Sequence, residues 1–571
     1  MLKIIPTVCI VLLGLIMPDV FSQTTQNIRG TVADIDSKAP LIGANVLVVG
    51  SDPVLGASTD VNGNFSIKNV PIGRHTLQIS YIGYNSKTLS NIELSSGKEL
   101  ILNITLQQTV EMKEVTVTAE KEKEKSINKM ATVSARTLSV EESMRYAGTL
   151  NDVARMAQNF AGVQGANDSR NDIIIRGNSP TGVLYRMEDI DIPNPNHFAL
   201  NGTTGGPISI INNNALDNSD FMTGAFPAEY GNALAGVFDL KLRNGNNQNH
   251  EFLGQIGFNG AEFMAEGPIN KEKFSSYLVS YRYSTLKVFQ LMGVNFGTGT
   301  TVPDYQDAVF KINLPNKKGQ TTFWGIGGIS AVKFLDSEYQ EDNLFAESGQ
   351  DVIFKSNIGA GGVSNIYRFN EKSFLKTSLS IDATVNKIST DTLNRFNGQF
   401  FPQYRNNSIE GKQTLNLVYQ NKLNVRNTLK IGLYNQRRFF SLYDSVHRRA
   451  DTVFIPILNL TAIYPDYWYK ITQTEGATYF IQPFVQWQHR LNENITINGG
   501  VHGQVFMLNK TYAVEPRLGV KWQLNKKTSL NTAYGLHNQL VPSRLYFRQL
   551  TDQFGNVVLN AEGEPFIPNR E

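Results

Sequence analysis

Between Ile495 and Met507 the chain reads ITINGGVHGQVFM. Ile495, Ile497, Gly499, Val501, Gly503, Val505 and Met507 are apolar or small, while Thr496, Asn498, His502 and Gln504 between them are polar. A period of two is the signature of a strand whose faces meet different surroundings. The pattern recurs nearby. Tyr479, Ile481, Val485 and Trp487 oppose Gln482, Gln486, Gln488 and Arg490. Leu518, Val520, Trp522 and Leu524 oppose Arg517, Lys521, Gln523 and Asn525, and Leu530, Tyr534 and Leu536 oppose Asn531 and His537. A soluble sandwich also alternates, but its wet face is usually rich in Lys and Glu. Here that face is Gln, Asn, Thr, Gly and a few Arg, and the apolar face carries Trp, Tyr and Phe near strand ends. Closed barrels pair every backbone group without long apolar runs, so this pattern predicts an antiparallel transmembrane β-barrel from about Glu251 onward. Short links at "NEN" and "NKK" flank a longer "NKTYAVEP", which fits tight turns on one side and loops on the other.

The N-terminal pattern is different. Asn27–Val32, Ile42–Gly50, Ser58–Ile67, Val70–Tyr84 and Lys98–Leu106 read as short strands between turn signals. Asn62-Gly63 suits a type I′ hairpin. Together they predict a small β-sandwich. Asp60-Val61-Asn62-Gly63 faintly echoes a calcium loop, but no acidic ligand follows at the required distance, so a plain turn is the reading. Glu114–Ala119 then alternates Val115 and Val117 with Thr116 and Thr118, ahead of the alternating charges of Lys121–Lys125. This β-prone segment is either the tail of the sandwich or a strand offered to a partner's sheet edge. Two short helices are expected next, one capped by Ser139 with Glu142 and one beginning at Thr149. β signals return in "NDIIIRGNSP", "GVLYRMEDIDIPNP" and "AGVFDLKLRNG".

Composition narrows the function classes. Mean hydropathy is −0.24, which excludes a helical membrane bundle. The 53 basic and 50 acidic side chains leave a net charge of +3, no footprint for nucleic acid. The one long apolar run, Ile4–Met17, follows Lys3 and precedes "VFS". At about 14 residues it falls short of the roughly 20 a spanning helix needs, so it reads as a removed export signal rather than an anchor. Cys9, the only cysteine, lies inside it and is wrongly flanked for a lipobox. Walker, H-E-x-x-H and G-x-S-x-G motifs are all lacking, and the seven histidines show no metal-ligand spacing. The expectation is no enzyme, no cofactor and no metal.

The stretch Asn171–Asn244 carries a resemblance. "NDIIIRG" followed by "AEYGNALAGVFDLKLRNG" is similar to the plug domain of TonB-dependent outer-membrane receptors. Arg176 and Gly177 stand at the family's "IRG" strand. Glu229, Tyr230, Gly231, Gly236 and Asp239 stand in its closing segment before the first barrel strand. "IPNPNHF" and "GGPISIINNN" look like the Bacteroidota branch that lacks the starch-uptake signature, and the sandwich resembles a carboxypeptidase regulatory-like domain. Two departures are visible: the usual "DG" reads Glu188-Asp189, and the usual "GPAS" reads "TGAFPAE". The resemblance implies that Glu114, Val115, Thr116, Val117, Thr118 and Ala119 form the TonB box, the strand a periplasmic energy-coupling protein pulls. It also makes Arg176, Arg186, Glu188, Asp189, Glu229 and Arg243 candidates to hold the plug against the barrel. Asn196, His197 and Phe198, in a Pro-, Asn- and Gly-rich loop, are candidate ligand contacts.

The resulting expectation is mainly β: signal peptide 1–22, sandwich 23–108, linker with coupling strand 109–137, α+β plug 138–248 and transmembrane barrel 249–571. About 320 residues follow Glu251, whereas some 22 strands of a plugged barrel need about 550. "AEGEPFIPNRE" at the end is not a strand and lacks a terminal aromatic. The barrel is therefore expected to be incomplete, an open curved sheet. The implied function is energy-coupled uptake of a scarce ligand (siderophore, cobalamin, glycan or peptide) across a Gram-negative outer membrane. Its partners would be a TonB-type protein, the bilayer, the ligand and a surface lipoprotein. A passive porin and an exported adhesion sandwich are the alternatives.

Overall fold

A computed structural model describes residues 24–110, 126–257, 260–285, 303–338, 349–394, 397–449, 451–455, 460–464, 466–525, 528–550 and 558–559. The chain divides into two compact units, Met1–Glu122 and Lys123–Glu571. Glu114–Ala119 and the apolar run at the start lie outside the described residues.

In the first unit, strand Thr25–Asp34 pairs antiparallel with Asn64–Pro71 and parallel with Leu100–Leu106. A second, four-stranded sheet contains Gly56–Ser58, Asn45–Val48, Gly73–Ser80 and Lys87–Leu94 in that order. Ile28, Val32, Val46, Phe65, Ile67, Leu77, Ile79 and Leu106 form one buried cluster between them. The Asn62-Gly63 turn differs from the type I′ expected. Only Gly63 has a positive φ, and the Asp60 carboxylate accepts the amides of Asn62 and Asn64. That side chain closes a wider turn and is thereby used up as a cap.

The second unit begins with a five-stranded mixed sheet, ordered Ile190–Asp191, Val183–Met187, Gly236–Leu242, Leu216–Met222 and Ala135–Leu138. The predicted helices are shorter and differently capped. Ser139 is the N-cap of Val140–Arg145 but makes no side-chain cap bond. The second helix is Val153–Ala157, started by Asp152, whose carboxylate accepts the amides of Ala154 and Arg155. Leu150 and Asn151 are left-handed, which stops any helix from beginning at Thr149. The Thr149 hydroxyl instead donates to the carbonyls of Ser143 and Tyr146.

Around this sheet lies a thirteen-stranded antiparallel sheet running in chain order from Glu251–Gly257 to Ser529–Gly535. A separate hairpin, Asp451–Ile455 with Leu460–Tyr464, interrupts the order only in sequence. Turns at 271–274, 317–318, 369–372, 423–426 and 491–494 lie on one side, while the strand ends at Tyr283, Asp304, Leu335 and Gln350 lie on the other. "NKTYAVEP" is not the long loop expected. Strand Thr511–Gln523 absorbs most of it and leaves a tight turn at 507–510. The longest strand among the described residues, Tyr467–Arg490, has 24 residues, well above the 9–11 or so that suffice to cross a bilayer.

The burial along these strands is inverted relative to a soluble protein. Gln482, Gln486, Gln488 and Arg490 are buried, as are Asn498, His502 and Gln504. Tyr479, Val485, Trp487, Val501, Leu518, Trp522, Leu530 and Tyr534 are exposed, Trp487 at 42% and Trp522 at 45%. The wet face predicted from sequence points inward, toward the plug, and the apolar face points out.

Candidate functional site: the plug and its wall

The plug's entry segment, Ser126–Met130, is pinned at both ends. Asp220, on strand Leu216–Met222, accepts the amides of Ile127 at 2.8 Å and Asn128 at 2.7 Å, and the Ser126 hydroxyl at 3.0 Å. Burial pushes the Asp220 carboxyl up to about 6, against these hydrogen bonds. The Asn128 side chain donates to Glu229 and to the Tyr230 hydroxyl. From the wall, Gln488 donates to the Lys129 carbonyl and Asn498 to that of Met130.

The Glu229–Tyr230–Gly231 segment is the next contact. Lys430, on strand Asn427–Arg448, reaches both Glu229 oxygens at 2.9 Å. Burial works to raise the Glu229 carboxyl, but Lys430 and Arg186 override it and leave it below the usual range. The Tyr230 hydroxyl donates to Asp239 at 2.7 Å. Arg186 lies between the rings of Tyr230 and Tyr434, 5.0 and 5.4 Å from their centroids, a cation–π contact joining plug to wall. A Cβ at Gly231 would collide with His502 and Gln482 of the wall, so only glycine lets the backbone come this close.

Glu188 and Asp189 take up the departure from "DG" noted in the sequence. Both are left-handed, with φ of 51° and 69°, and they turn Val183–Met187 back into Ile190–Asp191. The turn costs roughly 1–2 kcal/mol per non-glycine residue. Their carboxylates meet wall lysines in return. Glu188 pairs with Lys311 at 3.0 Å, and Asp189 with Lys376 and with the plug's own Lys241. Burial opposes ionisation of Glu188, yet Lys311, Lys241 and Lys376 hold it below its ordinary value. Further along, Arg243 grips Glu266 with two bonds of 2.6 Å.

Of the six charged candidates, Arg186, Glu188, Asp189, Glu229 and Arg243 therefore touch the wall. Arg176 does not; its guanidinium donates to Ser134 within the plug, and it and Gly177 are both left-handed. Gly236 and Asp239 sit in the plug's central strand. Asn196, His197 and Phe198 are all buried. Asn196 accepts from Asn171, and His197 bonds Asp307 at 2.9 Å, where Arg282 also binds. Burial holds the His197 imidazole below its ordinary pKa against the pull of Asp307. The Phe198 amide donates to Ser330, and its ring lies among Tyr305 and Phe354. As placed, His197 and Phe198 are plug–wall contacts, while the hydrogen bonds of Asn196 stay within the plug. Sequence reasoning missed Asp220, Lys311, Lys376, Lys430 and Asp307. Their one signal is position: each wall residue falls on the inward face of an alternating strand.

Residues 28–117 match the family described as CarboxypepD_reg-like domain, and residues 128–237 match the TonB-dependent Receptor Plug Domain. The TonB-dependent transporter Oar of Myxococcus xanthus is 24% identical over 267 residues, covering 45% of this chain and 24% of that protein. Two solved structures are similar over part of their length. The siderophore receptor PirA of Acinetobacter baumannii has TM-score 0.47 and 13% identity, over 74% of this chain and 62% of its own. The outer membrane transporter YddB of Escherichia coli has TM-score 0.48 and 11% identity, over 74% and 64%. The chain thus spans less than two thirds of each relative's length. These relatives are named as transporters or receptors, not enzymes. The chain thus carries a CarboxypepD_reg-like domain and a TonB-dependent receptor plug domain, each matched on its own stretch, and is similar in part to a TonB-dependent transporter.

Proposed function

We propose that this protein is an outer-membrane receptor of a Gram-negative bacterium that takes up a scarce ligand by energy-coupled movement of its plug. The observation that supports this most is the inverted wall: buried Gln482, Gln486, Gln488, Asn498 and Gln504 face a plug, while exposed Val485, Val501 and Leu518 face outward. Such a lumen holds its plug by hydrogen bonds and ion pairs, which water can replace one at a time. No dry core has to open. A passive porin needs no plug pinned across its lumen, and an adhesion sandwich needs no inverted sheet. The chemical class of the ligand stays open among siderophore, cobalamin, glycan and peptide, and a surface lipoprotein is a further proposed partner.

Coupling is assigned to Glu114–Ala119, seven positions ahead of the pinned Ser126. A periplasmic TonB-type protein would pair with its backbone, and tension would reach Ser126–Met130 first. The test is binding of the purified periplasmic coupling domain to the full chain in detergent. Val117→Pro removes a backbone donor and should weaken that binding at least ten-fold while the barrel stays folded. Unchanged binding would overturn the assignment.

A further inference from the structure

Beyond the last described wall strand the chain stays in contact with the sheet. Ser529–Gly535 ends on the side of the strand ends Tyr283 and Leu335, opposite the turn 491–494. Residues 536–550 then fold inward over the plug. Asn538 is held by the buried Glu515 carboxylate through its amide at 2.7 Å and its side chain at 3.0 Å. Three separate plug loops receive the segment: Gln539 donates to the Thr181 carbonyl at 2.7 Å, the Leu540 amide to the Asn232 side chain at 2.8 Å, and Arg544 to the Asn201 carbonyl at 3.1 Å. The Gln549 amide closes it onto the Ile471 carbonyl of wall strand Tyr467–Arg490 at 3.0 Å. Between these ties, Tyr546 and Phe547 are buried on Leu442, Phe480 and Phe506, with Phe440 beside them. The Phe440 and Phe547 rings are 4.5 Å apart and those of Phe506 and Tyr546 5.4 Å.

Those wall residues are conspicuous for their place. Their inward neighbours, Gln482, Gln504 and Thr478, are polar, as a watery lumen demands. An apolar patch on that face would be wetted unless something covers it, and here the segment's own two rings do. We propose that Leu536–Leu550 is a lid over the outer approach to the plug, shut by Tyr546 and Phe547 in the wall patch and tied to the plug through Thr181, Asn201 and Asn232. Displacing the plug breaks the three ties, and lifting the lid frees the plug's outer loops, so the two movements favour one another. The lid stands whether or not uptake is driven by a TonB-type protein.

The experiment uses the full chain with Cys9→Ser, in outer-membrane lipid, carrying Gly202→Cys and Pro542→Cys. A Cβ at Gly202 lies 2.9 Å from that of Pro542, so a small retreat of either backbone brings the pair to disulfide range, about 3.5–4.5 Å. The readout is the rate of cross-linking under mild oxidation, followed by mass spectrometry. The lid predicts ready cross-linking, slowed at least ten-fold by Tyr546→Ala with Phe547→Ala. Hydrogen exchange gives a second measurement on the chain without added cysteines. The Leu540 and Gln549 amides should be protected, and Asn232→Ala should accelerate Leu540 at least ten-fold. A folded barrel whose cysteine pair fails to cross-link and whose two amides exchange freely would overturn the proposal. So would cross-linking at the same rate with both rings removed.

Discussion

Asp220 is the residue on which the plug's entry segment hangs, and its titration has a definite sign. Its carboxyl is raised from 3.8 to about 6 in the folded molecule. A folded value above the unfolded one means that its contribution to stability is fully present below about pH 4 and is lost as pH rises through about 6. Asp220→Asn, neutral throughout, should flatten that part of the pH dependence. The check is the melting temperature of wild type and variant at pH 4.5 and 6.5, with the wild type losing more over the interval. Glu229 and Lys430 make the complementary case. Lys430→Met leaves a buried carboxylate without its cation, a loss of about 3–5 kcal/mol for breaking such a pair from one side. Faster hydrogen exchange at the Tyr230 amide would report it, and unchanged exchange would count against the pair as a clamp. The plug charges are visible in the sequence as charges. Their partners are not, because Glu229 and Lys430 lie 201 positions apart and no local pattern links them.

Strands were the most legible elements. From Tyr479 to Arg490 the glutamines and Arg490 mark the inward face and Tyr479, Val485 and Trp487 the outward one, as in the structure, with Phe480 and Phe484 the apolar exceptions on the inward face. Where local chemistry competes, the reading fails. Thr149 looks like a helix cap, but left-handed Leu150 and Asn151 move the start to Asp152. "NKTYAVEP" looks like a loop because of its Asn, Lys and Pro, yet pairing with Ile495–Phe506 draws it into a strand. The face assignment carries its own prediction. Val485→Arg puts a charge on the outward face, at a cost of about 2–4 kcal/mol near the bilayer midplane. Gln482→Glu, on the inward face of the same strand, meets no hydrocarbon. Folding titrations into lipid vesicles should separate the two, with Val485→Arg the weaker folder.

At the scale of the whole molecule, three patterns of alternation mark three kinds of structure: short strands with turns, a mixed segment with small helices, and long strands with a wet inner face. Only the last implies a bilayer. The lid escaped the sequence because nothing in "LHNQLVPSRLYFRQL" says which way the chain turns after a strand. The plug's hold on the wall escaped it because that hold is made of contacts between distant residues. Everything functional depends on the outward face meeting hydrocarbon, and the tryptophans report on it directly. Trp487 and Trp522 are exposed on the outside, while Trp324 is 1% exposed on the inside. In single-tryptophan variants reconstituted into vesicles with brominated acyl chains, Trp487 and Trp522 should be strongly quenched and Trp324 spared. Quenching of Trp487 and Trp522 by aqueous iodide but not by the brominated chains would contradict the account.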